Sequence, residues 1–216
     1  MENKHTSTST PFRIDLFLKE SFQGSAENLQ QLAHGESADQ LNQSITKVVS
    51  SIVSSYENKG CLYIAGNGGS AADAQHIAAE MLGKLSKDRT PLKAYAMSVD
   101  TSFLTAVGND YGYDFIFSRQ VEGMMSPQDI FLGITTSGNS KNLVKAFEMC
   151  QKLKIPSVLL SGGTGGIIVE RKLADHVILA PGRHTAQIQE AHIAIYHAMC
   201  FAIEYALIAS GKISYR

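Results

Sequence analysis

The chain lacks an excess of either charge: 19 Lys and Arg stand against 20 Asp and Glu, giving a net charge of −1. That balance, with no block of like charges, gives no electrostatic reason to expect a nucleic-acid partner. Cysteine is scarce and unpatterned. Cys61, Cys150 and Cys200 are scattered, with no Cys-x-x-Cys, which argues against a disulfide framework or a cysteine zinc site and fits a reducing cytoplasm. The three thiols read as small buried hydrophobes. Residues 1–11 (MENKHTSTSTP) lack the apolar run of a signal peptide, so secretion is not expected. No stretch is both apolar enough and free enough of charge to read as a membrane span. The nearest, 188–209, carries Glu190, His192, His197 and Glu204. Nor is there an internal repeat, or low complexity beyond the Ser/Thr-rich start.

What is present suits one globular domain: 216 residues, 44% hydrophobic, enough for a full core. Two helical patterns come first. One spans about 12–33, with apolar Ile14, Leu16, Phe17, Phe22 and Leu29. The other is expected to start at Ser37 as N-cap and run to about Tyr56, with Leu41, Ile45, Val48, Val49, Ile52 and Val53 on one stripe. Gly60 is read as its stop. Short apolar runs then alternate with helical segments. The runs at 61–65, 92–97, 130–135, 157–160 and 176–179 read as strands. The segments at 70–85, 101–107, 115–125, 140–153 and 166–173 read as helices. Near-continuous apolar strands between helices predict an α/β fold with a five-stranded parallel sheet covered on both faces. The last helix, about 185–210, is apolar almost all round. Such a helix is expected to be buried on every side, most easily inside a homo-oligomer.

In an open parallel sheet, ligands bind beyond the carboxyl ends of the strands. Two loops there are rich in small polar residues: Gly66-Asn67-Gly68-Gly69-Ser70 and Thr135-Thr136-Ser137-Gly138-Asn139-Ser140. Each leads into a helix, whose free N–H groups and positive end favour an anion such as a phosphate. Neither is a Walker A loop or a G-x-G-x-x-G fingerprint. The bland alternative is a pair of tight turns capped by Ser70 and Ser140. A third Gly-rich loop, 161–166, lies at the same edge and reads mainly as a turn.

His76 and Glu80 fall about 40° apart on one helix, which suits two ligands of a metal ion or a base with its partner. Exposed pairs of this kind are also common without function. The last helix offers Gln189, Glu190, His192 and His197. Polar groups on a buried helix need partners, but helical geometry does not choose between His192 and His197. Asn109 and Asp110 read either as contacts to a polyol or as turn residues beside glycine.

Together these segments resemble the sugar isomerase (SIS) superfamily and, within it, the phosphoheptose isomerases. The matching stretches are AGNGGSAADAQHIAAEM, LTAVGNDYGYDFIFSRQVE, GITTSGNSKNL and IQEAHIAIYH. The resemblance covers nearly the whole chain and implies a single SIS domain over 1–216. Residues 1–58 would be helices involved in oligomerisation, and 59–216 a doubly wound, flavodoxin-like core. It implies a cytoplasmic homotetramer with active sites at subunit interfaces, acting on a small sugar phosphate, with no nucleic-acid or membrane partner. The implied reaction converts D-sedoheptulose 7-phosphate to D-glycero-D-manno-heptose 7-phosphate, the first step of ADP-heptose synthesis for lipopolysaccharide.

Carried over by position, one Zn²⁺ per subunit would be held by His76, Glu80, Gln189 and His197. Substrate would meet Asn67, Gly68, Gly69, Ser70, Glu80, Asn109, Asp110, Thr135, Thr136, Ser137, Ser140 and Gln189. Proton transfer through an enediolate would use Glu80 as base and His197 as acid. One position departs from the pattern. Gln187 stands where the family usually carries arginine, so a charge is missing near the site. The rival expectation is a non-catalytic SIS tetramer that binds the replication initiator protein. Such relatives depart from the pattern at the Glu80 type of position.

Overall fold

The computed structural model describes residues 12–216; the Ser/Thr-rich start lies outside them. Two helices, α1 (Ile14–Gln30) and α2 (Glu36–Glu57), lead into a regular alternation. This runs β1 (Leu62–Gly66), α3 (Gly69–Leu82), β2 (Ala94–Ala96), α4 (Thr101–Asp110), a 3₁₀ turn (Tyr113–Phe115), α5 (Ser118–Met124), β3 (Ile130–Ile134), α6 (Lys141–Leu153), β4 (Ser157–Gly162), α7 (Gly166–Glu170), β5 (His176–Ala180) and α8 (Thr185–Ala209). The five strands are all parallel, in the order β2-β1-β3-β4-β5. This is the flavodoxin-like order, and its switch point lies between β1 and β3.

Strand alternation decides what each face buries. Ile130, Leu132 and Ile134 of β3 turn toward a core shared with α2, α3 and α8. Phe131 turns the other way, toward α5, α6 and α7. A strand buried on both faces in this way, such as β3 with its sequence IFLGI, carries no charged or polar side chain and reads as a continuous run.

Several local expectations are corrected. Ser37 does not cap α2: the helix begins at Glu36, after Gly35 at φ 88°, so Ser37 lies in the first turn. At the other end Lys59, at φ 66°, takes the left-handed position expected of Gly60. Gly60 is needed for space instead, since a Cβ there would collide with the Gln128 carbonyl. Neither Ser70 nor Ser140 caps its helix through its side chain.

The apolar stripe of α1 is largely uncovered, with Phe22 70% and Ile14 63% exposed. The last helix is not buried on every side within one chain either. Ile195, Tyr196, Met199 and Ile203 face the core, while Ile193 and Tyr205 are 40% and 59% exposed. Although α8 is long and apolar enough to cross a membrane, it packs here on α2, α3 and the sheet.

Candidate functional site

The loop after β1 and the loop after β3 leave neighbouring parallel strands at the switch point. They enclose a cavity of about 230 Å³ lined by Asn67, Gly69, Ser70, Thr135, Thr136, Ser137, Ser140, Thr185 and Gln189. Larger hollows exist at the amino-terminal edge of the sheet, one of about 630 Å³ around Cys150, Lys154 and Asp175. Those have no convergent polar chemistry comparable with two loop-to-helix turns, and they lie at the edge opposite to the one where such folds bind ligands. The two loops are cross-braced. Asn67 and Asn142 exchange amide hydrogen bonds of 3.0 and 2.8 Å, and the Tyr113 hydroxyl donates to Asn67 Oδ1 at 3.1 Å. Thr135 Oγ1 accepts from the backbone N–H groups of Ser137 and Gly138 at 3.4 and 3.3 Å, folding the second loop on itself.

The third Gly-rich loop is more than a turn. Gly138, at φ 69°, packs so closely on Gly165 and Gly166 that a Cβ would strike their backbone. Asn139 Oδ1 accepts the Ile167 N–H at 2.9 Å. The loop after β4 is thus the floor on which the second cradle loop rests.

Further along α3, His76 Nε2 lies 3.0 Å from Glu80 Oε1. His197 of α8 brings its Nε2 to 3.4 Å from His76 Nε2. Ligand atoms of His76, Glu80 and His197 all fall within 4.8 Å of one another, a group able to hold a metal ion. Converging lone pairs at such spacing need a proton or a cation between them, so the donor set fits a divalent metal with imidazole and carboxylate ligands. His192, which helical geometry could not separate from His197, is fully buried away from this group. Gln189 does lie beside Gly69, where a Cβ would meet its amide, so it lines the cradle. Asn109 and Asp110 close α4, exposed and bonded to one another at 2.8 Å; they do not line the cavity.

Gln187 is buried rather than aimed into the site. Its Oε1 accepts the Arg183 N–H at 3.1 Å, and its carbonyl accepts from Asn28 of α1. Sequence reasoning missed Asn142, Tyr113 and the pair Asp73 and Tyr196. Tyr196 OH lies 2.9 Å from His76 Nδ1 and 3.4 Å from Asp73 Oδ1. Burial pushes the Asp73 carboxyl up, opposed by the Tyr196 hydrogen bond and by His76. The one available signal was a tyrosine, with a polar tip, next to His197 on an otherwise apolar helix.

Comparison with known proteins places this arrangement. The SIS domain model matches residues 26–162. The chain is 45% identical to the phosphoheptose isomerase of Sulfurimonas denitrificans, over 90% of its own length and 97% of that relative's. The chain belongs to the phosphoheptose isomerase family. Solved structures agree. The phosphoheptose isomerase of Neisseria gonorrhoeae superimposes with a TM-score of 0.80 at 37% identity, covering 88% of this chain and 99% of that one. The enzyme of Francisella tularensis does so with a TM-score of 0.76 at 34% identity, covering 88% and 95%. As a phosphoheptose isomerase family member the chain is an isomerase of the SIS fold.

Proposed function

We propose that the chain interconverts D-sedoheptulose 7-phosphate and D-glycero-D-manno-heptose 7-phosphate, with the sugar phosphate held between the cradle and the His76/Glu80/His197 group. One observation carries the reading: a carboxylate, Glu80, hydrogen-bonds His76 at 3.0 Å and lies within 4.8 Å of a ring nitrogen of His197, about 15 Å of helix rise beyond Ser70 of the cradle. The loops 67–70 and 135–140 bind the phosphate. That remote binding energy positions the reacting carbons.

Isomerisation moves a hydrogen from C1 to C2 without net oxidation. Glu80 removes the C1 proton, and the electron pair forms the enediolate double bond. His197 donates a proton to O2. The C1 hydroxyl then gives its proton to His197 as the aldehyde forms, which restores the acid, and Glu80 returns its proton to C2. His76, Glu80 and His197, with Gln189 added by family resemblance, are the residues that would hold one Zn²⁺ per subunit. When bound, zinc supplies Lewis-acid polarisation of the substrate carbonyl. Asn109 and Asp110, which do not line the cavity of this chain, would meet the sugar hydroxyls by family resemblance alone.

The uncovered stripes of α1 and α8 support a homotetramer with active sites at subunit interfaces. Sedimentation giving only monomer would refute it. The scattered, unpaired cysteines support a cytoplasmic enzyme, and the product chemistry fits the first step of ADP-heptose synthesis for lipopolysaccharide. Retention of Glu80 disfavours the alternative, a non-catalytic tetramer bound to the replication initiator protein. The deciding experiment incubates the purified protein with sedoheptulose 7-phosphate, with and without a chelator, and follows the aldose by NMR. Chelator-sensitive appearance of the aldose is expected. Full recovery of unreacted ketose from the metal-loaded protein would overturn the assignment.

A further inference from the structure

We infer that Tyr196, steered by Asp73, is a positioning residue that fixes the His76 ring as its Nδ1–H tautomer and so presents an unprotonated Nε2 to Glu80 and His197. The inference rests on reading that group as a metal site, and deepens it.

The argument is one of proton counting. Tyr196 OH has two neighbours, Asp73 Oδ1 at 3.4 Å and His76 Nδ1 at 2.9 Å. A phenol carries one proton. With Asp73 ionised, its carboxylate can only accept, so the phenol proton is directed to it. The phenol oxygen is left as an acceptor toward His76 Nδ1, which must then carry the imidazole proton. A neutral imidazole has a single N–H, so Nε2 keeps its lone pair. That is the atom 3.0 Å from Glu80 Oε1 and 3.4 Å from His197 Nε2.

Burial makes the arrangement hard for water to replace. Tyr196 is 1% exposed and Asp73 8%. The rings of Tyr196, His76 and His197 pack edge to face on one another, with centroids 5.0 to 5.4 Å apart. Asp73 lies three residues before His76 on α3, and Tyr196 one residue before His197 on α8. The relay therefore ties the two helices together at the level of the ligand atoms. Groups that orient a metal-ligating histidine through its other ring nitrogen commonly change metal affinity by about 10–100-fold.

The test uses the full-length protein and two variants, Tyr196→Phe and Asp73→Ala, with circular dichroism and oligomer size to establish folding. The His76 tautomer is read in the metal-free protein from its ¹⁵N shifts. Zn²⁺ affinity is read by competition with a chromophoric chelator. The expected wild-type tautomer is Nδ1–H. In Tyr196→Phe that preference is lost and Zn²⁺ affinity falls about 10–100-fold. In Asp73→Ala the freed phenol proton turns to His76 Nδ1, the ring shifts to Nε2–H, and affinity falls although Tyr196 and every ligand remain. A merely structural role for Asp73 would leave both readouts at wild-type values, and that result in a folded Asp73→Ala protein overturns the inference. So does an Nε2–H tautomer in the metal-free wild type. Failure of the metal reading shows separately: a wild type that keeps the Nδ1–H tautomer but binds no Zn²⁺ removes the metal while the positioning role stands.

Discussion

Arg89 Nε donates to Glu204 Oε2 across 2.7 Å, with the two side chains only 1% and 2% exposed. The guanidinium also donates to the carbonyls of Glu80, Met81 and Thr90 at 2.7, 2.9 and 3.0 Å. Two of these are last-turn carbonyls of α3, which have no partner inside their own helix. Glu204 belongs to α8 and also accepts from Tyr215 OH at 3.2 Å. One buried side chain thus terminates the helix bearing His76 and Glu80 and joins it to the helix bearing His197. Removing one member leaves the other charge buried and alone, which costs about 3–5 kcal/mol. Arg89→Met is expected to lower unfolding free energy in urea by that amount at fixed protomer concentration. The double variant Arg89→Met/Glu204→Leu is expected to recover part of the loss. A single variant within about 0.5 kcal/mol of wild type would refute the argument.

Glu80→Gln keeps the size of the side chain and its reach toward His76 but removes the base. Turnover is expected to fall by at least the roughly 10²–10⁴-fold that a general base supplies, while sedoheptulose 7-phosphate still binds through the cradle. Calorimetry gives the binding and NMR the conversion. Near-normal conversion would take the proton-transfer role away from Glu80.

Gly138 combines a left-handed φ of 69° with backbone contact to Gly165 and Gly166. Alanine there strains the backbone by about 1–3 kcal/mol and pushes two loops apart. Gly138→Ala is expected to raise KM for the sugar phosphate more than it lowers kcat, because the damage falls on the phosphate cradle. Unchanged KM in a folded variant would separate the third loop from substrate binding.

His192 is fully buried on α8, and neither ring nitrogen makes a well-formed hydrogen bond. Burial pushes its pKa down to about 4 from an ordinary 6.5, against a smaller opposite pull from the Ser161 backbone. The unfolded chain therefore takes up a proton first as pH falls, so stability drops between pH 6.5 and about 4. The full loss is about 3 kcal/mol. Comparing His192→Leu with wild type in urea at pH 7 and at pH 4.5 isolates this group. The variant's stability relative to wild type is expected to improve at the lower pH, and a constant difference would refute the assignment.

The fold was legible because its signals are redundant. Most strand positions are apolar, and each strand is followed by a loop and a helix, so Ile130 to Ile134 needed no partner to be recognised. The two cradle loops were legible for a similar reason: small polar residues recur at the same edge of adjacent strands. His76 and Glu80 could be paired by helical spacing alone, but joining them to His197 required the crossing of α3 and α8, which periodicity does not encode. The misread helix ends had the same cause. Lys59 adopts the left-handed turn because Gly60 is needed for close packing on Gln128, a contact 68 residues away in sequence. Asp73 and Tyr196 stayed hidden because each looks like an ordinary polar tip on a helix until the other is placed beside it.

Helix α8 carries Gln189 at the cradle and His197 at the His/Glu/His group, eight positions apart. At about 1.5 Å per residue the helix spaces these two positions by about 12 Å along its axis. In the proposed site the helix would act as a ruler for the substrate, setting how far the reacting end of the sugar stands from the phosphate cradle that Gln189 lines. Its graduations are coarse, because adding or removing one residue between the two would also turn His197 by about 100° away from His76. Sugars of a different length must then be accommodated by the loops at either end, not by lengthening the helix.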